Sequence, residues 1–273
     1  MTLRVALVQL RTPDDLESAL AHLGPLVREA AARGARFILT PEAANLVQRD
    51  RAKLLDALRP LEDDPVAQGL GALARELSVT VLAGSLLCRR EDGRPVNRSV
   101  LFSAEGQVQA TYDKIHMFDV DLPTGERWRE SDAFAAGERA VVAPTPWGRL
   151  GMTVCYDLRF PHLFRALAKA GAEMIAVPAA FTRPTGEAHW ETLLRARAIE
   201  TGAFVLAPAQ GGLHADGRAT WGRSMAVDPW GAILAQACGD EPGVIMAELD
   251  LEAVGRARRA VPSLQNEREF VLA

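Results

Sequence analysis

The 273-residue sequence predicts an α/β protein with mixed sheets, in one domain spanning residues 1–273. Three observations carry that prediction. Short runs rich in Val, Ile, Leu and Ala recur along the chain, as strands covered on both faces do. Stripes of apolar residues at helical spacing stand between several of them. Two hairpin signals interrupt what would otherwise read as a parallel, layered sheet. No shift of composition, internal repeat or low-complexity stretch divides the chain.

The elements follow in order. "LRVALVQL" (3–10) is the first strand. Leu16, Leu20, Leu23 and Val27 mark a helix that Gly24-Pro25 is expected to break or kink, because proline lacks an N–H and crowds the preceding turn. "RFILT" (36–40) is the next strand. Leu70, Leu73, Ala74 and Leu77 mark a second helix before the strand "VTVLAGS" (79–85). "RSVLFSA" (98–104) and "QVQATYDK" (107–114) flank the turn "AEGQ" and read as a hairpin. "RLGMTV" (149–154) precedes a helix opened by Pro161 and striped by Leu163, Phe164, Leu167 and Ala168. "AEMIAVP" (172–178) precedes a fourth stripe, Trp190, Leu193, Leu194 and Ala198. "AFVLAP" (203–208) follows. "RSMAVD" (223–228) and "AILAQA" (232–237) flank "DPWG", whose Asp, Pro and Gly suit a turn. "GVIMAEL" (243–249) is the last strand.

Composition narrows the functional classes. The chain is 48% hydrophobic and 24% charged, with net charge −4 and a pI near 5.8. That balance gives no reason to expect nucleic acid or an anionic membrane as partner. The basic run "RARRA" (256–260) reads as a solvated helix face. Three widely spaced cysteines, Cys88, Cys155 and Cys238, form neither a zinc-type cluster nor a disulfide framework, which favours a reducing cytoplasm. The opening "MTLRVALVQL" lacks the regions of a signal peptide, and no apolar segment reaches the ~18 residues that span a bilayer.

Three strand ends carry a polar residue where the chain leaves the sheet, the place where α/β proteins build ligand sites. Glu42 follows "FILTP", Lys114 ends the hairpin strand "QVQATYDK", and Cys155 ends "GMTV". Taken singly, each has an ordinary explanation: a solvated carboxylate, a surface charge, a small core residue. Together they supply the parts of thiol-dependent amide hydrolysis. A carboxylate can take the thiol proton, and an ammonium lowers the thiol pKa. The ammonium and the backbone N–H of Tyr156 can hold a developing oxyanion. A Cys–His pair is the competitor, but spacing alone places none of His22, His116, His162, His189 and His214 beside Cys155. "GGLHADGR" (211–218) lacks the Lys-Ser/Thr of a phosphate loop and reads as a loop.

These residues resemble the nitrilase, or carbon–nitrogen hydrolase, superfamily along essentially the whole chain. The resemblance rests on "RVALVQL", Pro41-Glu42, "YDKIHMFDVD", "ESDAFAAG" (130–137), "TPWGRLGMTVCYDLRFP", "GEAHWETLLRARAIET" and "MAVDPWG". It implies a four-layer αββα sandwich, a catalytic Glu42-Lys114-Cys155 set and a second glutamate, Glu130, that positions Lys114 and the substrate. It implies no metal or organic cofactor, and a homodimer in which two sandwiches join, or a higher homo-oligomer. "CYDLRFP" and "TGEAHWETLLRARAIE" look most like the Nit branch, which contains deaminated glutathione amidases and ω-amidases. "AQGGLHADGRATWGRSMAVDPWG" is nearer the former, while Glu187, "QGGLH" and "PSLQNERE" depart from their usual pattern. The implied activity hydrolyses the terminal amide of a small α-keto acid amide to acid plus ammonia, through a cysteine thioester. An ω-amidase acting on α-ketoglutaramate, an N-carbamoyl amidohydrolase, a nitrilase and an idle interaction scaffold stay open as alternatives.

For the keto-acid carboxylate, a planar bidentate donor is needed, and Arg159 is the first candidate. Its competing reading is an ion pair with Asp157 or another acid. Phe181 and Thr185 match pocket positions of the branch. Arg183 is a candidate for a longer substrate tail or a surface residue.

Overall fold

The computed structural model describes residues 1–122 and 125–272. Along β1 (Thr2–Gln9), Leu3, Val5 and Leu7 point to one side and Ala6 and Val8 to the other, and all five are buried. A strand buried on both faces needs cover on both. The rest of the chain provides it.

Helix α1 (Leu16–Ala32) starts at Asp15, whose carboxylate accepts the Ser18 N–H, and it runs unbroken through Pro25. The expected break is absent. Pro25 lies on the solvent side, while Ala19, Leu23, Val27 and Ala30 are buried on the other face. An interior proline costs about 3 kcal/mol, and burying several such side chains outweighs it. Next come β2 (Phe37–Leu39), α2 (Arg51–Ala57) and α3 (Pro65–Leu77), the last capped by Asp64. β3 (Thr80–Arg89), β4 (Pro95–Phe102) and β5 (Val108–Asp113) form an antiparallel meander that contains the expected hairpin. A two-stranded ribbon, β6 (Asp119–Asp121) and β7 (Arg127–Arg129), follows.

The second half repeats the plan. β8 (Val141–Thr145) pairs with β9 (Gly148–Met152), and α4 (Pro161–Lys169), β10 (Met174–Ala176), α5 (Arg183–Thr201) and β11 (Phe204–Ala207) follow. The run 211–218, expected as a loop, instead contains β12 (Gly211–Leu213), which pairs with β13 (Ala219–Trp221). β14 (Met225–Val227) and β15 (Ile233–Gln236) make the second expected hairpin. β16 (Gly243–Asp250) and α6 (Glu252–Ala260) end the fold, and the basic run lies in α6.

The strands assemble into two six-stranded mixed sheets, ordered β16-β1-β2-β3-β4-β5 and β15-β14-β11-β10-β9-β8. One core packs α1 and α3 on the outer face of the first sheet, with Leu23, Val27, Leu70 and Leu73 against Ala6, Val8 and Val81. The other joins Val5, Leu7, Phe37 and Leu82 of the first sheet to Leu150 and Met152 of the second. It continues to Phe164, Trp190 and Leu194 of α4 and α5. The layers are therefore αββα. Strands β2 and β5 run parallel within the first sheet, and β9 and β10 run parallel within the second. Among the described residues no helix is long and apolar enough to cross a membrane.

Candidate active site

The three polar residues singled out at strand ends in the sequence follow the C-terminal ends of β2, β5 and β9, and Glu130 follows β7. Past β2, Thr40 and Pro41 lead to Glu42. Gly84 in β3 permits this path, since a Cβ there would lie 1.9 Å from the Thr40 carbonyl oxygen and 2.4 Å from Pro178. The Ala43 N–H donates to Ser85 Oγ (2.9 Å), and Gln210 Nε2 donates to the Glu42 carbonyl (2.9 Å), so the glutamate is strapped from both sheets. Lys114 follows β5 directly. Cys155 follows β9 through Thr153 and Val154, and its N–H donates to the Pro178 carbonyl beyond β10 (2.8 Å). Cys155 has φ +50°, a left-handed conformation uncommon for a residue with a Cβ and often found at functional turns.

The four side chains meet in one buried cluster. Lys114 Nζ donates to Glu42 Oε1 (2.9 Å) and to both oxygens of Glu130 (2.9 and 2.8 Å). Glu42 Oε2 accepts the Ala180 N–H (2.9 Å), and Glu130 Oε2 accepts the Phe118 N–H (2.7 Å). The Cys155 thiol lines the same cavity as the Glu42 carboxylate, near enough for each to shift the other's pKa. Burial pushes the Glu42 carboxyl up. The Lys114 charge, the neighbouring Cys155 thiol and hydrogen bonds from Lys114 and Asn97 together outweigh it and hold Glu42 below the usual glutamate range. Burial would lower the Lys114 ammonium, but Glu130 and Glu42 hold it above its ordinary value. Burial and the Glu42 charge push the Cys155 thiol up, with Lys114 opposing. The resting set is thus a carboxylate pair around an ammonium, with a neutral thiol in the same cavity.

Asn97 is a member the sequence reading missed. Its Nδ2 donates to Glu42 Oε1 (2.9 Å) and Glu130 Oε1 (3.2 Å), and its carbonyl accepts the Lys114 N–H (2.9 Å). Asparagine is depleted in strands, but Asn97 is followed by Arg98 and Ser99 at the polar start of β4, so it carried little signal of its own. Asp157 is a second. Fully buried, it accepts from Tyr112 Oη (2.7 Å), from the N–H groups of Val154 (2.8 Å) and His116 (3.1 Å), and contacts His116 Nδ1 (2.7 Å). It thereby fastens the Lys114 segment to the Cys155 turn.

Tyr156 is the second residue of a short 3₁₀ turn, Cys155–Arg159, a position whose N–H has no intrahelical acceptor. Phe181 and Thr185 line the cavity with Glu42, Lys114, Glu130, Cys155 and Tyr156, and the cavity measures about 350 Å³. Arg159 is absent from that lining. Its guanidinium lies over Phe181 (5.5 Å), and both terminal nitrogens lie 3.3 Å from His189 Nδ1. Asp157 is not its partner. Arg183 is ion-paired with Asp240 at the surface (2.6 Å). None of the five histidines hydrogen-bonds to Cys155 among the described residues.

The carbon–nitrogen hydrolase family model matches residues 4–259. A deaminated glutathione amidase of Yersinia enterocolitica is 43% identical, over 97% of this chain and 92% of its own. The human deaminated glutathione amidase is 41% identical, over 97% and 82%. The NitFhit protein of C. elegans superposes with a TM-score of 0.90 at 34% identity, covering 98% of this chain and 65% of that one. An amidase variant from Nesterenkonia sp. superposes at 0.79, with 26% identity and coverage of 95% and 98%, and bears an acrylamide adduct at its active-site cysteine. With the family matched nearly end to end and two relatives above 40% identity, the chain belongs to the carbon–nitrogen hydrolase family.

Proposed function

We propose that this hydrolase is a keto-acid amidase of the deaminated glutathione type, with Cys155 as nucleophile. The observation that carries the reading is that Cys155, Glu42 and Lys114 line one cavity, with Lys114 Nζ 2.9 Å from Glu42 Oε1. Glu42 takes the thiol proton as sulfur attacks the amide carbonyl. Lys114 Nζ and the Tyr156 N–H hold the oxyanion, while Glu130 and Asn97 keep Lys114 and Glu42 in place. Glu42 then protonates the amide nitrogen, the C–N bond breaks, and a thioester remains on Cys155. Water gives a proton to Glu42 and attacks the thioester, and Cys155 leaves with that proton. A primary keto-acid amide releases ammonia. Deaminated glutathione, whose scissile amide joins the keto acid to a dipeptide, releases cysteinylglycine. The test is product release from deaminated glutathione and from α-ketoglutaramate. Hydrolysis of neither, with turnover of nitriles or carbamoyl amides, would replace the substrate reading.

The pH profile follows from the charge state. Glu42 must be ionised, and its carboxyl is held below the ordinary 4.5, so the acid limb of kcat/KM falls below that value. The thiol lies above 9.0 and the ammonium above 10.5, so no basic limb appears before about pH 9. A profile flat between pH 5 and pH 9 is the expected outcome. A bell centred near neutrality would contradict the assigned protonation states.

In this reading Arg159 takes the keto-acid carboxylate. Among the described residues it has no carboxylate partner, and it stands on the ring of the cavity residue Phe181. Arg159→Ala is expected to raise KM for keto-acid amides about 10–100-fold, the value of charged hydrogen bonds. Unchanged steady-state kinetics would remove the assignment.

The active species is proposed to be a homodimer in the cytoplasm. Ile199, Trp230 and Val261 are 57%, 63% and 56% exposed and line one groove between α5, the β14–β15 turn and the end of α6. Such a cluster of large apolar side chains suits a self-complementary contact. Sedimentation velocity of wild type and Trp230→Asp should give a dimer and a smaller species respectively. Equal sedimentation would place the contact elsewhere.

A further inference from the structure

Five arginines line the cavity mouth, and the structure divides them into two kinds. Arg127 and Arg129 share the carboxylate of Asp121 (2.7 and 2.8 Å), and Arg51 donates to the Asp132 carbonyl (2.8 Å). Arg49 and Arg218 differ. Among the described residues Arg49 has no ion pair, and Arg218 approaches Asp216 only at 3.6 Å, beyond hydrogen-bond reach. The Arg218 Nε is buried without a partner, and so is Asp216 Oδ2. Both guanidinium carbons stand at the Trp128 ring, Arg218 at 5.0 Å and Arg49 at 6.0 Å from its centroid.

Two cations gathered at one indole, Arg218 beside Asp216 at 3.6 Å and Arg49 with no ion pair among the described residues, leave guanidinium donors without hydrogen-bond partners in a partly buried site. The aromatic face offsets part of the cost of holding each cation there, which does not replace a hydrogen-bonded counter-charge. A planar anion with two oxygens would satisfy the unpaired donors. The two arginines come from the segment after Glu42 and from the β12–β13 hairpin, whereas Phe181 and Thr185 come from the segment after β10 and from α5.

We propose that Arg49 and Arg218, gathered at Trp128, form a second carboxylate subsite that holds the terminal carboxylate of a peptide-like leaving group. This rests on the amidase reading above and extends it to the substrate class: keto-acid amides with a second carboxylate beyond the scissile bond.

The experiment compares deaminated glutathione with its C-terminal carboxamide, which differs only in the distal charge. For wild type, kcat/KM is expected to be about 10–100-fold higher on the free acid. In Arg49→Gln, Arg218→Gln and the double variant that ratio falls toward 1. Equal rates on the two substrates by wild type would overturn the subsite. So would variants that lose activity on both substrates in parallel and keep the wild-type ratio, the sign of a merely structural role. Because Arg49 is exposed, its variant reports even if Arg218→Gln folds poorly. Hydrolysis of neither substrate by wild type would remove the amidase reading and the subsite with it.

Discussion

Cys155→Ala is expected to fold like the wild type and to lose about 10⁴-fold or more of kcat. The fold is retained because the substitution deletes one sulfur and keeps the backbone bond from residue 155 to the Pro178 carbonyl. Activity is lost because no other group near Glu42 can form the acyl intermediate. Cys88 is buried in β3 and its thiol is pushed up to about 12 by burial, and Cys238 is exposed at the surface. Neither lines the cavity. Mass spectrometry of acid-quenched turnover should find an acyl adduct on wild type and none on the variant, with matching urea midpoints. Turnover by the variant within tenfold of wild type would move the nucleophile away from Cys155.

Much of this arrangement was legible in the sequence, and the exceptions have physical causes. The long apolar runs became strands, and both hairpins formed where turn residues interrupt them. Short elements with little apolar content carried no signal: β6 and β7 read "DVD" and "RWR", and β12 begins with two glycines. Pro25 does not break α1; local propensity ignores which side of a helix faces water. Periodicity could also not say that the strands divide between two sheets. At the site, Glu42, Lys114 and Cys155 stood out because each ends an apolar run. Glu130 came from the family resemblance alone. Asn97 and Asp157 act through partners more than 30 residues away, Glu42 and Tyr112 among them, and only the folded chain brings those together. The pairing of Arg49 with Arg218 at Trp128 is likewise a product of three separate segments meeting: the stretch after Glu42, the β12–β13 turn and β7.

Lys114→Met has the second large effect, and it separates two roles of the lysine. Lys114 is almost wholly buried between Glu42 and Glu130, at 2% exposure. Removing one partner of a buried charge cluster costs about 3–5 kcal/mol, since the remaining charges lose their compensation. The loss of an oxyanion donor should also lower kcat by at least about 10²-fold. The sign of the pH dependence is diagnostic. In the wild type the Glu42 carboxyl is depressed below 4.5, so its contribution to stability is present above that value and disappears as pH falls through the folded pKa. Without Lys114 the burial of Glu42 prevails and its carboxyl rises above 4.5. A raised carboxyl stabilises the fold below the unfolded value, and that contribution is lost as pH rises through the folded one. Buried His214, held below 6.5, lowers the stability of both proteins as pH falls from 7 to 5, so the variant is compared with the wild type: its stability to urea at pH 5 relative to pH 7 should exceed the wild type's. An equal pH dependence in the two proteins would mean that hydrogen bonds from Asn97 and Ala180 alone keep Glu42 ionised. Lys114 would then serve the oxyanion and not the base.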